Sequence, residues 1–499
     1  MRRTMLFALA LVGTAGCRGR AHGASPHDAM FQAHLSDAQE ATRGEPGPAP
    51  ASLTDFERKL LEIRTSWAER LGDPRTILTF LDVTTPEMAK LCEEAAREDF
   101  PASLSRGISV ERLLAGAFVR SPTLLAAQRE LAATVEQYAQ VTYLDTILRQ
   151  YVSFLRTLNT RVGPAVPMDR VQERFPFPGT LELKAAIVGH AVEAARAKYE
   201  LALQDLVTGV RTAYADYLYL GRELEVTGET IRLLEQLDAV ARAKLGSGTA
   251  PKSHVLRTQV EIASLRNDLV TRRREREIVR TRLVTLLNLA PETPFGEPSP
   301  SQPPVLPPDL VALETRALQR HPQIALARAR ADRMAAMIEL AERATYPELS
   351  PGLSFMEEPS FAKESEPFST RPKGIPDPWF GTKEAYLREA REAEKGSRRR
   401  LDAARDQTLF RVNQAYTELD TAWRLHDLYR DVQLAQAEDA YRDAASGYVA
   451  DRGTFLDVID ALRLRLRFRI DAHRADRDTL TAGARLESAI GAPIAHGEK

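Results

Sequence analysis

The chain has 499 residues and nearly balanced charge, with 68 basic and 69 acidic residues and a formal net charge of −1. This balance excludes the strongly basic composition of a nucleic-acid binder. A charged fraction of 27% beside a hydrophobic fraction of 43% is typical of long helices with one apolar stripe, and an aromatic content of 7% is low for a protein built mainly of strands.

The first 17 residues, MRRTMLFALALVGTAGC, have the pattern of a secretion signal. Two arginines precede an apolar core that is too short to cross a membrane as a helix. Small residues lead directly into Cys17, which resembles the lipobox of bacterial lipoproteins, where the cysteine is acylated. We expect residues 1–16 to be removed and Cys17 to be lipidated; an ordinary cleaved signal before an incidental cysteine is the alternative. Arg18, in place of aspartate, resembles a sorting signal for the outer membrane.

Residues 17–50 are rich in Ala, Gly, Pro and Ser, which favours an extended, flexible tether. Residues 51–108 have an amphipathic helical pattern, as in FERKLLEIRTSWAERL, and form an N-terminal addition of unknown role. Cys92 lies in this addition. With Cys17 acylated it has no partner in the chain, and the sequence therefore predicts no disulfide framework.

The rest of the chain is internally duplicated, which five landmarks in one order indicate. AFVRSP at 117–122 returns as ALQRHP at 317–322, an offset of 200, and PFPGT at 176–180 returns as PWFGT at 378–382, an offset of 202. The V-x-x-A-Y pattern from Val210 returns from Val412, an offset of 202. LGSGTAPKSHVL at 245–256 aligns with YVADRGTFLDVI at 448–459 at 203, and NLAP at 288–291 aligns with IGAP at 490–493 at 202. The two copies are residues 109–291 and 309–493, joined by a proline-rich linker, 292–308, and followed by a tail, 494–499.

Each copy is predicted to be mainly helical. Proline is absent from 180–250 and from 379–492, and a helix of about 65 residues would be on the order of 100 Å long. Such helices have to pair through an apolar seam, as in a coiled coil or a helical barrel. Each copy breaks once between helices, at GSGTAP (246–251) and around SGYVADRG (446–453), and we interpret both breaks as helix–turn–helix tips. The segments 149–178 and 346–379 are the candidates for two strands per copy, although their alternation is weak and the second is rich in proline.

Taken together, the paired AFVRSP and ALQRHP helix starts, the PFPGT and PWFGT turns, the V-x-x-A-Y patterns and YVADRGTFLDVIDA resemble the TolC-type outer-membrane efflux proteins. The stretch RFPFPGTLELKAA is most similar to the heavy-metal, resistance-nodulation-division branch. The resemblance implies a mainly α fold with a small β part, in a homotrimer. Each chain would give four strands to a shared 12-stranded barrel in outer-membrane lipid and its helices to a periplasmic tunnel. Gly179 and Gly381 would mark the strand-to-helix turns, and a periplasmic adaptor (membrane fusion) protein and an inner-membrane pump would be the partners.

In this family, acidic residues after the second tip narrow the periplasmic aperture. The matching residues are Asp457 and Asp460, which are three apart and share a helix face. In a trimer each would form a ring of carboxylates that attracts cations. The alternative is that both are solvated helix-surface carboxylates, with Asp457 favouring a helix N-terminus.

Other residues of the two tips are candidates for gating. The first copy has His254 and Arg257 at the positions that match the two aspartates. Tyr448 keeps the family's tip aromatic, Asp451 replaces a usual glycine, and Arg452 is displaced by one residue from the family's arginine.

No catalytic or cofactor motif is present in the sequence: there is no HExxH, CxxC, phosphate loop or nucleophile elbow, and no Met or His cluster for a metal. The sequence therefore predicts neither an enzyme nor a cofactor. Two hypotheses remain. The first is a passive conduit, the outer-membrane subunit of a tripartite efflux system. The alternative is a lipid-tethered periplasmic coiled-coil scaffold without a pore.

Overall fold

The computed structural model describes residues 53–72, 86–143, 180–307, 309–343, 382–450 and 452–494. The chain divides into two compact units, Met1–Lys59 and Leu60–Lys499. Of the first unit, the structure describes residues 53–59, and the core and both tips belong to the second. The predicted strand segments 149–178 and 346–379 lie outside the described residues, as do four individually predicted residues: Cys17, Gly179, Gly381 and Asp451.

In its described residues the N-terminal addition contains α1 (Leu53–Gly72) and α2 (Pro86–Ala96), followed by a short α-helical turn, Phe100–Ser103, and a 3-10 turn, Leu104–Arg106. In α1 the buried residues Leu60, Ile63 and Trp67 recur at helical spacing, so that one face packs against the rest of the unit. Arg64 forms a two-point ion pair with Glu136, with N–O distances of 2.7 and 3.1 Å. The addition is therefore attached to the first copy.

The two copies contain the same helices in the same order. The first copy has α3 (Val110–Arg120), α4 (Pro122–Val135, continued by a 3-10 segment, Glu136–Tyr143), α5 (Thr180–Gly246) and α6 (Lys252–Leu286). The second has α7 (Leu310–Arg320), α8 (Pro322–Arg343), α9 (Thr382–Asp427), a π-helical turn (Leu428–Gln433), α10 (Leu434–Val449) and α11 (Phe455–Ile490). Helices dominate the described residues, which confirms the mainly α part of the predicted fold.

The helix ends show why the duplicated sequence folds twice in the same way. Ser109 and Asp309 occupy matching N-caps and accept hydrogen bonds from the third residue of α3 and α7, at 3.4 and 3.1 Å. Before the prolines that open α4 and α8, Ser121 and His321 are both extended, with ψ of 119° and 125°. A residue before proline is pushed out of the helical region, so each site ends one helix and starts another.

The long helix α5 has 67 residues and is therefore about 100 Å long. It packs against α4, α6, α8 and α11, and its buried residues Val210 and Ala213 match Val412 and Ala415 in α9. No helix within the described ranges is both long enough and apolar enough to cross a membrane.

The linker is extended, as its prolines predict, and it is tied to both copies. Tyr214 of α5 hydrogen-bonds the carbonyl of Ser299 at 2.5 Å, and the indole of Trp423 in α9 donates to the carbonyl of Pro304 at 2.9 Å. A parallel β-bridge joins Ile108 to Pro298 of the linker.

The structure changes one detail of the predicted duplication. Asn288 and Gly491 end α6 and α11 with φ of +51° and +74°, and these equivalent residues are 203 apart (491 minus 288). The left-handed residues therefore match at an offset of 203, one more than the offset of 202 that aligns the prolines of NLAP and IGAP.

Candidate functional site

The first tip is a tight turn between α5 and α6. The carbonyl of Lys244 accepts hydrogen bonds from the backbone N–H of Thr249 at 2.8 Å and of Ala250 at 3.2 Å. Gly248 has φ +76°, a conformation that glycine adopts without a steric penalty. Pro251 is extended and stands directly before the first residue of α6. The predicted tip at 246–251 has the expected form.

The second tip joins α10 to α11. The carbonyl of Gly447 accepts from the N–H groups of Arg452 at 2.8 Å and Gly453 at 3.0 Å. Thr454 and Asp457 form a capping box, in which the hydroxyl accepts from Asp457 N–H at 3.2 Å and the carboxylate accepts from Thr454 N–H at 3.1 Å. The direction in which α11 leaves the tip is therefore set by two reciprocal hydrogen bonds.

The two tips are joined through Tyr448. The ammonium of Lys244 donates to the carbonyl of Tyr448 at 2.7 Å and lies 4.6 Å from the centre of its ring. The Nδ1 of His254 lies 3.3 Å from the Tyr448 hydroxyl. The ring of Phe455 stacks on His254 at 4.3 Å and meets Tyr448 edge-on at 5.6 Å. We call Lys244, His254, Tyr448 and Phe455 the tip cluster.

Tyr448 and Phe455 of the tip cluster belong to the apolar core between the two hairpins, at the end of that core next to the turns. Tyr448 and Phe455 are 4% and 2% exposed and continue into Val255, Val458 and Leu462. Burial, together with the charge of Arg257, lowers the pKa of His254. The cluster therefore favours a neutral imidazole against Tyr448 and Phe455.

The predicted carboxylates Asp457 and Asp460 share the exposed face of α11, as their spacing requires. Hydrogen bonds from Thr454 lower the pKa of Asp457 and favour its charged form. Asp460 lies 3.9 Å from Arg463, which makes a two-point ion pair across to Glu261 of α6 at 2.7 and 3.1 Å. The cap on Asp457 is the contact that the helix-surface alternative expects, and it leaves the carboxylate exposed to solvent.

A groove runs between the first turns of α6 and α11. It has a volume of about 360 Å³. Three of its apolar residues, Leu256, Val260 and Leu456, are 50%, 69% and 48% exposed, and Arg257 and Arg463 lie at its edges. An exposed apolar strip with charged borders is typical of a surface that binds another protein.

The structure thus brings Tyr448 and His254 together and places Arg257 near enough to His254 to affect its pKa, whereas Asp457 contacts Thr454 and Asp460 lies beside Arg463. Arg452 contributes its backbone to the second tip. Sequence reasoning missed Lys244 and Phe455. Lys244 has no usable sequence signal, because its partner is a main-chain carbonyl 204 residues away. No group of three or more His, Cys, Asp or Glu side chains suited to a metal occurs in the part of the chain that the structure describes.

Residues 181–289, which span α5, the first tip and α6, match the family model described as "Outer membrane efflux protein". This match confirms the resemblance predicted from the sequence. The family and its structural neighbours are outer-membrane efflux channels rather than enzymes. No functionally curated protein matches the chain in a sequence search.

Solved structures share the fold over most of the chain. The outer membrane protein VceC of Vibrio cholerae has a TM-score of 0.57 and 17% identity, over 77% of this chain and 97% of that one. CusC has a TM-score of 0.58 and 17% identity, over 77% and 92%. The open state of the MtrE outer membrane channel of Neisseria gonorrhoeae has a TM-score of 0.56 and 16% identity, over 77% and 89%. The chain therefore has the fold of these proteins.

Proposed function

We propose that this chain, which carries an outer membrane efflux protein domain, is the outer-membrane channel subunit of a tripartite efflux system. It would act as a passive conduit, and its tip cluster would hold the periplasmic end closed. The observation that carries the proposal is the contact between the two tips. Two hairpins about 200 residues apart in sequence meet at their turns, where Tyr448 of the second contacts Lys244 and His254 of the first.

The proposed assembly is a homotrimer in the outer membrane of a Gram-negative bacterium. Segments 149–178 and 346–379 would supply four strands per chain to a 12-stranded barrel, since bacterial barrels need at least about eight. Gly179 and Gly381 would be the turns into α5 and α9, and acylated Cys17 would anchor the chain in lipid. The number of strands per chain supports oligomerisation, because one chain alone cannot close a barrel.

At the closed end, three copies of Asp457 and Asp460 would form two carboxylate rings. Such rings attract cations and disfavour anions in a narrow pore. Arg257 lies near the same level on α6 and would offset part of that charge. Asp451, beside Arg452, would add a third carboxylate to each second tip. The aperture is therefore proposed to favour cations moderately.

The groove between α6 and α11 is the surface we assign to the periplasmic adaptor. Its exposed leucines and valine suit the apolar face of a helical hairpin, and Arg257 suits an acidic residue beside that face. The adaptor would connect the channel to an inner-membrane pump. The stretch RFPFPGTLELKAA supports a pump of the resistance-nodulation-division class.

The test is conductance of the purified full-length protein in planar bilayers. The wild type should conduct weakly, and Asp457→Ala with Asp460→Ala should increase conductance and reduce cation preference. The matched control is Asp439→Ala with Asp443→Ala, two exposed carboxylates of α10 away from the proposed aperture. A lipidated, stable monomer that never conducts, in either variant, would instead support the scaffold alternative.

A further inference from the structure

The second copy contains one residue more than the first within its long helix. Val412 minus Val210 gives 202, and both residues are fully buried. Closer to the tips, Ala437 minus Leu234 gives 203, and both residues are 1% exposed. The offset remains 203 at the ends of α6 and α11, where Asn288 matches Gly491. The surplus residue therefore lies between residues 415 and 437.

This interval contains the π-helical turn Leu428–Gln433, in which Leu434 N–H donates to the carbonyl of Tyr429, five residues back. A π-helical turn holds one more residue than the α-helical turn it replaces, so it absorbs the surplus without rotating α10 away from the core. Its counterpart α5 is α-helical at every residue. The turn is thus the device that keeps the second tip in register with the first.

The turn itself is weakly held by the core. It contains no buried residue, and Leu428 and Val432 are 41% and 45% exposed. The side-chain oxygen of Gln433 is buried and accepts no hydrogen bond from the described residues. Few contacts would be lost if this turn changed its helical type.

A cluster on α11 holds the turn from one side. Asp476 lies 3.2 Å from Nε2 of His426, two residues before the turn, and 3.4 Å from Arg430 inside the turn. His473 approaches the same carboxylate at 3.5 Å. The first copy has Thr227, Val270 and Arg273 at the positions of Arg430, His473 and Asp476, so this carboxylate-centred cluster belongs to the second copy alone.

We propose that the π-helical turn is a hinge with two discrete states, held in the observed state by Asp476. In the second state the surplus residue moves toward the tip and α10 becomes continuous with α9. Every residue of α10 would then rotate by about 100° and slide by about 1.5 Å. That rotation would withdraw Tyr448 from Lys244 and His254. The hinge stands on the helix geometry alone; its effect on the closed end rests on the proposed function.

Hydrogen–deuterium exchange of the full-length protein tests the hinge directly, because a turn that rearranges exposes its amides. Residues 428–438 should exchange faster than 226–235 of α5 in the wild type. Deleting Val432 removes the surplus residue, so these amides should slow by about tenfold or more while the tip amides 447–454 stay protected. Deleting Glu225 of α5 is the matched control. It has no π-helical turn to relax, so it should expose the amides of both tips.

The second variant, Asp476→Asn, keeps the size of the side chain and removes its charge. It should speed exchange over 428–449 and at the tip, whereas Asp478→Asn, two residues further along α11, should leave both unchanged. Equal exchange in the two copies, or no slowing after deletion of Val432, overturns the hinge. Loss of folding on that deletion also overturns it, because a surplus residue can leave without moving either flank. Exchange does not require conductance, so a failed channel and a failed hinge are distinguishable.

Discussion

Replacing Lys244 by methionine should open the proposed channel more than replacing Tyr448 by phenylalanine. The ammonium makes a hydrogen bond of 2.7 Å to the Tyr448 carbonyl and lies 4.6 Å from the ring centre. A hydrogen bond to a charged group contributes about 1.5–3 kcal/mol, and a cation–π contact at such a site about 0.5–1 kcal/mol. Methionine keeps most of the aliphatic stem, so the expected loss is the sum of these two contributions, about 2–4 kcal/mol per subunit.

Such a loss lowers the ratio of closed to open tips by about 30- to 700-fold, since about 1.4 kcal/mol corresponds to a factor of ten. Tyr448→Phe removes only the hydroxyl, 3.3 Å from His254. A neutral hydrogen bond contributes about 1 kcal/mol, so this variant should shift the ratio about fivefold. The two variants should be nearly additive, because Lys244 binds the main chain of residue 448.

Single-channel recording in planar bilayers measures the open fraction of each variant. The control is Arg242→Met, which removes an exposed cation one half-turn earlier that pairs with Asp238 at 2.6 Å. It should leave the open fraction unchanged. The reasoning is refuted if Lys244→Met behaves like this control, or if Tyr448→Phe has the larger effect of the two.

Three further predictions concern the stability of the fold. Burial lowers the pKa of His321 in the folded protein to about 4. As the pH falls, the histidine of the unfolded chain is therefore protonated before that of the folded chain. The free energy of unfolding should then decrease by up to about 3 kcal/mol as the pH falls from about 6.5 to about 4. His321→Asn should remove that slope in urea titrations across this range. Gly296→Ala would place a Cβ 2.5 Å from backbone atoms of the neighbouring segment, so the Tm of this variant should be lower than that of the wild type. The control is Gly396→Ala, whose Cβ would have nothing within 4 Å, and its Tm should equal or exceed that of the wild type. Thr454→Ala removes the hydroxyl that caps α11 at Asp457 and should cost about 1 kcal/mol in the same titration; an unchanged midpoint would contradict the cap.

The sequence is most informative where local chemistry decides the structure. Long proline-free stretches predict the long helices, and Gly248 and Pro251 mark the first tip because their backbone preferences are strong. The pairing of Ser109 with Asp309 follows from the same capping chemistry in both copies. These features depend on neighbours in the chain, and a pattern of residues reports them directly.

Contacts between distant segments leave a much weaker signal. The hydrogen bond from Lys244 to a main-chain oxygen is compatible with any residue at 448, so no pairing rule predicts it. The π-helical turn does leave a trace, because the offset between the copies grows from 202 to 203 between Val412 and Tyr448. The position of the extra residue can be narrowed only with the structure, because the burial of Ala437 shows that it matches Leu234. The strand segments 149–178 and 346–379 stay predictions.

Because the two copies differ, we expect their hairpins to have different roles in the proposed channel. α5 is uninterrupted, and its tip carries His254 and Arg257; the second long helix contains a π-helical turn, and its tip carries Asp457 and Asp460. Two acidic tips in every subunit would place like charges against each other at a narrow end, at a cost that grows as water is excluded. In the proposed channel, a basic first tip would reduce that repulsion and would give the acidic second tip, on its proposed hinge, an opposing surface to close on. Motion is therefore assigned to the second hairpin, and the first acts as its fixed counterpart.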